Sequence, residues 1–264
     1  MKLLRAVAIP LANFVFVVIC LVVAWLVLLQ VGGVNDLVAR KPGQVLEFLF
    51  SDDQAAQNRT AVFGPLRQTL LDAGIGFVAG LVAATTVAVG TYLSRGVEAA
   101  TMPVALVVRT VPLVALAPII TLVFGNGFFT VAVMSGIVVF FPALVTISFG
   151  LRSVTQQMHD VVSVYGGSTW DVLRRVAFPT ALPSFFAAIR ISVPGAVTGA
   201  LIAEFYTTPD SVGKAVNQAL ALYQYSLVWS LLVVVTAASI VLYLLAQLLE
   251  RLMLTRFDMD QALS

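Results

Sequence analysis

The sequence predicts an all-α, polytopic membrane protein with six transmembrane helices, and three observations carry that prediction. First, the 264-residue chain is 60% hydrophobic and only 11% charged, with a mean hydropathy of +1.00. Soluble domains are far richer in charge, so this composition needs a non-aqueous solvent. Second, six segments reach the roughly 20 mostly apolar residues that a bilayer-crossing helix needs. They are 8–30, 68–93, 101–124, 127–150, 184–206 and 227–250. Third, Lys and Arg favour one side of these spans. With the N-terminus inside, Lys2, Arg5, Arg95, Arg152, Arg174, Arg175, Arg251 and Arg256 face the cytosol, against Arg40, Lys41, Arg59, Arg67 and Lys214 outside. That excess places both termini and segment 151–183 in the cytosol. The chain reads as a single membrane domain over 1–264, with membrane lipid as its immediate partner.

The elements follow in order. Met1-Lys2-Leu3-Leu4-Arg5 and the run after it imitate a signal peptide. The run is too long for one and no A-x-A site follows, so it is expected to be an uncleaved first span. Segment 31–66 is an outer connector in which Val45, Leu46, Phe48 and Leu49 form a short apolar face suited to the membrane surface. The third span carries Pro103, Pro112 and Pro118, each of which removes a backbone donor and invites a kink. In the fifth, Pro194-Gly195 marks another expected break. Broken backbone at membrane depth is tolerated only against protein or a water-filled cavity, so these two spans are expected to line one. Residues 207–225 read as a loop with a short helix.

The segment DVVSVYGGSTWDVLRRVAFPTALP (160–183) cannot lie in lipid. Thr155 is a candidate N-cap. Met158, Val161, Val162 and Tyr165 follow at i, i+3, i+4 and i+7, one face of a helix, with Gln157 and Asp160 on the polar side. Gly166 stands where that helix must end. Ser168 and Asp171 form an S-x-x-D capping arrangement opening a second helix, expected to end by Pro179, with Pro183 at the entry to the fifth span. The apolar face must be covered, either by the chain's own bundle or by a partner; the pattern leaves both open.

This loop resembles the EAA motif of binding-protein-dependent ABC importer permeases, roughly E-A-A, three residues, G-A, then an aromatic and L-P. Asp160-Val161-Val162 stands at E-A-A, Gly166-Gly167 at G-A, Trp170 at the aromatic and Leu182-Pro183 at L-P, without a gap. RTVPLVALAPIITLVFGNG (109–127), KPGQVLEFL and AAIRISVPGAVTGALIAEF (187–205) extend the resemblance towards the nitrate, sulfonate and taurine permeases. Asp160 replaces the usual Glu, Val161-Val162 replaces Ala-Ala, and Gly167 replaces Ala; the two β-branched residues make the helix face bulkier and stiffer.

The resemblance implies a type I ABC importer permease fold in a bacterial cytoplasmic membrane. It implies that Met158, Asp160, Val161, Val162, Tyr165, Gly166, Gly167 and Ser168 couple the chain to two cytosolic ATP-binding subunits. A second permease copy or homologue and an extracytoplasmic solute-binding protein would complete the importer, which would carry a sulfonate-, nitrate- or taurine-like anion or a vitamin precursor. The chain has no G-x-x-x-x-G-K-[ST] pattern, so ATP and Mg²⁺ are expected on the partner and no cofactor on this chain, which is not an enzyme. Arg109, Pro112, Pro194 and Glu204 are candidates for the translocation pathway, because ionisable groups at membrane depth are costly. For Arg109 and Glu204 a helix-capping or hydrogen-bonding role is equally open. Met134 and Phe124, Phe128, Phe129, Phe140 and Phe141 are expected to pack.

Other functions have less support. Cys20 and His159 are the only residues of their kinds, which rules out an internal disulfide and leaves little for a metal cluster. A net charge of +2 gives no ground for nucleic-acid binding. An intramembrane protease needs catalytic pairs inside spans, and none is evident. An ion-coupled carrier working without an ATPase is the remaining alternative, and it needs several buried acids where the runs offer little beyond Glu204.

Overall fold

Backbone groups in lipid must be satisfied within their own segment, and helices dominate this computed structural model, with no strand among the described residues. The structure describes residues 18–33, 35 and 37–256, the side chain of Arg109 excepted. In chain order the helices are α1 (Val18–Val31), α2 (Pro42–Phe50), α3 (Ala55–Leu93), α4 (Arg95–Thr110), α5 (Leu113–Phe124) and α6 (Phe128–Leu151). Then come α7 (Gln156–Val164), α8 (Thr169–Val172), a π-helical turn (Leu173–Ala177), α9 (Phe178–Thr180), α10 (Leu182–Glu204), α11 (Val212–Ala221) and α12 (Tyr225–Arg256).

Four of these, α3, α6, α10 and α12, are long and apolar enough to cross a membrane, and α4 with α5 makes a fifth if the bent pair is one span. The first predicted span, 8–30, appears as α1 from Val18 onward, and its residues 8–17 lie outside the described residues. At 39 residues α3 far exceeds a bilayer's hydrocarbon core, and its first turns take up residues 55–66, which were expected to lie in a connector. Pro65 is carried inside it.

The prolines behave unequally. Pro112 does break the third span: Val111 is extended (ψ 125°), as a residue before proline prefers, and α4 and α5 meet at 107°. Pro103 and Pro118 sit inside their helices. The break expected at Pro194-Gly195 is absent, because α10 runs unbroken through both. Its packing on α6 explains this: Val138 lies 3.2 Å from the position of a Gly195 Cβ, so the two helices are pressed together and α10 stays helical despite the lost donor.

Helix α6 sits between α3 and α10, and α12 packs on the outer side of α10. The α3–α6–α10 seam is made of small residues. A Cβ on Gly76 would overlap Ser135, one on Gly80 would come within 2.5 Å of the Gly136 carbonyl, and one on Gly199 within 2.6 Å of Ser135 Cα. Ser135 Oγ also donates to the Ala196 carbonyl at 2.9 Å. Helices in lipid gain from such close approach rather than from hydrophobic exclusion. At the α7 end the core comprises Ala84, Ala88, Ala143, Leu144 and Ile147 with residues of the loop. At the α11 end, Val45 and Leu49 of α2 turn inward to join Val62, Val131, Met134 and Leu231, while Leu46 and Phe50 stay exposed. The apolar face predicted for α2 is therefore split between core and surface. Met134 is buried, as expected of packing.

The seam makes a contrast within one helix. Gly80→Ala should destabilise the protein by about 1–3 kcal/mol through overpacking, whereas Gly74→Ala, with nothing within 4 Å of the new methyl, should be neutral or slightly stabilising. Thermal melting in detergent reads both, and equal melting temperatures would rule out this seam.

Candidate functional site

The loop between α6 and α10 is built from local signals that close on one another. Thr155 caps α7, its hydroxyl accepting from Met158 N–H at 3.4 Å. Asp160 accepts from Gln156 Nε2 at 2.8 Å on the polar side. At the other end Gly166 takes φ +77°, a left-handed conformation that suits glycine. Gly166 N–H bonds to the Ser163 carbonyl at 2.9 Å and Gly167 N–H to the Val162 carbonyl at 3.0 Å, the paired bonds of a Schellman ending. Gly167 needs its missing side chain for a different reason, since a Cβ there would lie 2.5 Å from Val162 Cγ1. The two departures from the EAA pattern, valine at 162 and glycine at 167, are thus two halves of one contact.

Ser168 then opens the second helix. Its hydroxyl donates to Asp171 Oδ2 at 2.6 Å, its N–H donates to the same oxygen at 2.9 Å, and Asp171 N–H returns to the hydroxyl. These bonds, the Ser168 hydroxyl first, hold the Asp171 carboxyl below its usual range, with Arg175 and Arg174 adding to them. The box is therefore intact at neutral pH and is lost only as pH falls through that lowered value.

The second helix does not end by Pro179 as predicted. It widens into the π-helical turn, where Phe178 N–H reaches back to the Leu173 carbonyl. The wider turn moves backbone away from the proline ring, so α9 follows and α10 continues after Ala181. Val172, Leu173, Ala177 and Ala181 are buried, Leu173, Ala177 and Ala181 in the same cluster as α3 and α6 residues. This helix is anchored to the bundle and is nearly continuous with α10.

Helix α7 is not anchored in this way: none of its residues is buried. Met158, Val161 and Tyr165 are 46, 59 and 88% exposed, while Val162 turns partly inward against Gly167. Of the predicted face, three residues stand outward and one closes the turn. Sequence periodicity missed Val164 (83% exposed) and Trp170 (56%), which enlarge the patch. The resemblance had pointed to Trp170 only as a motif position. Together these residues give the loop its exposed apolar surface. His159 makes a local contact with Ser163, Nδ1 to Oγ at 3.3 Å, and has no other role here.

The three pathway candidates whose side chains are described do not converge. Pro112 lines a groove of about 390 Å³ between the α4–α5 break and Ile137, Phe141 and Pro142 of α6. Pro194 lines another of about 320 Å³ between α10 and α12, edged by Thr198, Thr236, Ser239 and Tyr243. The Arg109 side chain lies outside the described residues. Glu204 is fully buried at the far end of α10, where its Oε2 accepts from Thr69 Oγ1 at 2.7 Å and from Gly213 N–H at 3.2 Å. Thr69 Oγ1 also takes Val212 N–H at 2.9 Å, so both side chains cap the start of α11. Two further charges escaped the sequence reading. Asp72 is buried in α3 beside Glu204, and Glu250 of α12 pairs with Arg190 of α10 at 3.1 Å. Asp72 was visible as an acid inside the second apolar run.

The apolar helices thus form a membrane bundle that holds one amphipathic helix outside it, on a stem nearly continuous with α10. Comparison with known proteins makes this specific. Residues 76–256 match the family described as binding-protein-dependent transport system inner membrane component, and the chain belongs to that family. It is similar to the riboflavin transport system permease protein RibX of Chloroflexus aurantiacus, 33% identical over 159 residues, which are 60% of this chain and 59% of that protein. It is also similar to a probable ABC transporter permease protein of Haemophilus influenzae, 28% identical over 84% of this chain and 89% of that one. The putative aliphatic sulfonates permease SsuC of Bacillus subtilis is 24% identical over 89% and 83%. In fold, the chain resembles the inward-facing MetNI methionine ABC transporter (TM-score 0.56, 17% identity, 72% of this chain and 93% of that one). It also resembles an ABC transporter that imports alginate (TM-score 0.58, 13% identity, 95% and 99%).

The Val162–Gly167 contact is open to a double-mutant cycle. Gly167→Ala alone should loosen the end of α7, speeding exchange of the Gly166 and residue-167 amides by about tenfold. Adding Val162→Ala should recover part of that loss. Additive effects of the two changes would show that the residues do not share the space.

Proposed function

We propose that this chain forms half of the translocation pathway of an ATP-driven importer and that the α7 loop is the joint through which a separate ATPase moves it. The observation that carries this reading is the exposed face of Met158, Val161, Val164 and Tyr165 on a helix joined through the Ser168 cap to a stem running into α10. Asp160, Gly166, Gly167 and Ser168 shape that face and fix its angle. In this reading the α7 end and both termini are cytosolic and the α11 end is external. Two ATP-binding subunits hold the ATP and Mg²⁺, a second permease copy or homologue completes the pathway, and a solute-binding protein delivers cargo from outside.

The geometry supports motion of α10 as a unit. When the ATPase pair closes, α7 is displaced, and the stem passes that displacement along α10 towards α11. ATP must favour one arrangement by a few kcal/mol for the population to shift usefully. Pro112 and Pro194 border grooves that change shape as α10 moves against α6 and α12, and Glu204 serves as the α11 cap rather than as a solute ligand. For cargo, we favour a small vitamin-type heterocycle. Among the relatives, the riboflavin permease is 33% identical and a formylaminopyrimidine permease of Halalkalibacterium halodurans is 30% identical over 57% of this chain. Sulfonate and nitrate permeases stand at 24 and 25%.

The test is reconstitution with the cognate ATPase and solute-binding protein. Val161→Asp and Gly166→Leu should leave the chain in the membrane and reduce substrate-stimulated ATP hydrolysis by roughly tenfold or more, as loss of a docking hot spot would. Normal stimulation in both variants removes the coupling role from α7. Uptake that persists without any ATPase subunit replaces this reading with an ion-coupled carrier.

A further inference from the structure

The α11 end of the bundle holds two acids side by side. Asp72 of α3 is 3% exposed and Glu204 is 0% exposed, and Thr69, one turn before Asp72 on α3, hydrogen-bonds Glu204 at 2.7 Å, which brings the two carboxyl groups to the same place. One oxygen of each is accounted for. Gln68 Nε2 donates to Asp72 Oδ1 at 3.0 Å, and Thr69 and Gly213 serve Glu204 Oε2. The remaining oxygens, Asp72 Oδ2 and Glu204 Oε1, have no donor. Neither acid belongs to an ion pair; the pairs among the described residues are Glu98–Arg152, Asp171–Arg175 and Arg190–Glu250. The charged groups nearest in sequence on the surrounding elements are Arg67 of α3, Asp210 in the turn and Lys214 of α11, and none of them hydrogen-bonds to either carboxyl.

Two ionised carboxylates in contact, shielded from water, repel each other and leave both facing oxygens unsatisfied. A single proton between them removes both problems. We propose that Asp72 and Glu204 form a site for one proton, held as a carboxylic acid–carboxylate hydrogen bond that latches α11 to α3.

The hydrogen bonds also say which acid carries the proton. Glu204 Oε2 already accepts two donors, one of them a backbone N–H in the first turn of a ten-residue helix, where a negative charge is favoured. Glu204 is the carboxylate. Asp72 Oδ1 accepts from Gln68, so Asp72 is the acid, and its Oδ2–H donates to Glu204 Oε1. The chain of bonds then runs from Gln68 through Asp72 and Glu204 to Gly213, with Thr69 bridging to Val212, and joins three helices. Gly213 is fixed in this network, since a Cβ there would lie 2.6 Å from the Leu201 carbonyl and 2.7 Å from Glu204 Cβ.

This assignment makes Asp72→Asn a close mimic of the native acid. Its amide N–H₂ donates to Glu204 where the acid O–H did, and its carbonyl still accepts from Gln68. Infrared spectra of the whole chain in lipid nanodiscs at neutral pH should show the carbonyl stretch of a protonated carboxylic acid. That band should be lost in Asp72→Asn, with the melting temperature held within a few degrees of wild type. Asp72→Ala should lose the same band and melt lower, because Glu204 Oε1 is then left without a donor. A wild-type spectrum without the band, or a band that survives Asp72→Asn, overturns the proposal. So does a fall in melting temperature for Asp72→Asn as large as that for Asp72→Ala.

Discussion

Helices in lipid have nothing to gain from hiding apolar surface against one another, so this bundle rests on how closely α3, α6 and α10 approach. Ser135 is the point where the three meet. It faces Gly76 of α3 and Gly199 of α10, and its hydroxyl bonds the Ala196 carbonyl. A larger residue at any of the three positions would separate the helices and leave a gap that lipid tails cannot fill neatly. The continuity of α10 follows from this seam. Pro194 removes a hydrogen bond, yet the helix continues, because α10 is packed on α6 on both sides of the proline.

A continuous α10 joins the loop to the far end of the bundle. From Thr169 the chain is helical almost continuously to Glu204, about 50 Å at 1.5 Å per residue. The π-helical turn lets this stem pass Pro179 without breaking. One end of the stem carries the exposed α7 face, and the other carries the Glu204 network that caps α11. The ion pair of Arg190 with Glu250 ties α12 to the same stem. The loop helix, α10, α11 and α12 are thus joined by a continuous backbone or by buried polar contacts.

The features legible in the sequence were those set by neighbours in the chain. Thr155, Gly166, Ser168 and Asp171 do what their positions imply, since caps and left-handed endings depend on residues within four places. The main apolar runs are also found as helices, 8–30 only in its later part. What the sequence did not convey depends on tertiary partners. Pro112 and Pro194 look alike in a run of apolar residues, but α10 is packed on α6 at Gly195 and Gly199 just beyond Pro194, whereas α4 and α5 meet at 107° at Pro112. The role of Glu204 was left open because Thr69 and Asp72 lie more than a hundred residues away. Asp72 itself was passed over as one acid in a long apolar run, although a buried acid in such a run needs a partner.

The departure from Glu-Ala-Ala at the start of the loop motif also has a structural reading. Val162 is not on the outward face; its methyl fills the space above Gly167, where the family pattern has the side chain of alanine. The two substitutions compensate each other and leave the Schellman ending intact. Val161 has no such internal contact, so its added bulk is presented outward beside Val164 and Tyr165. The acid at 160 is shorter than the usual glutamate and is already engaged by Gln156. The exposed part of this face is therefore mostly apolar. In the proposed importer, the groove that receives α7 must be wider and less polar than one shaped for glutamate and two alanines, and such a groove would hold an Ala-Ala helix only loosely.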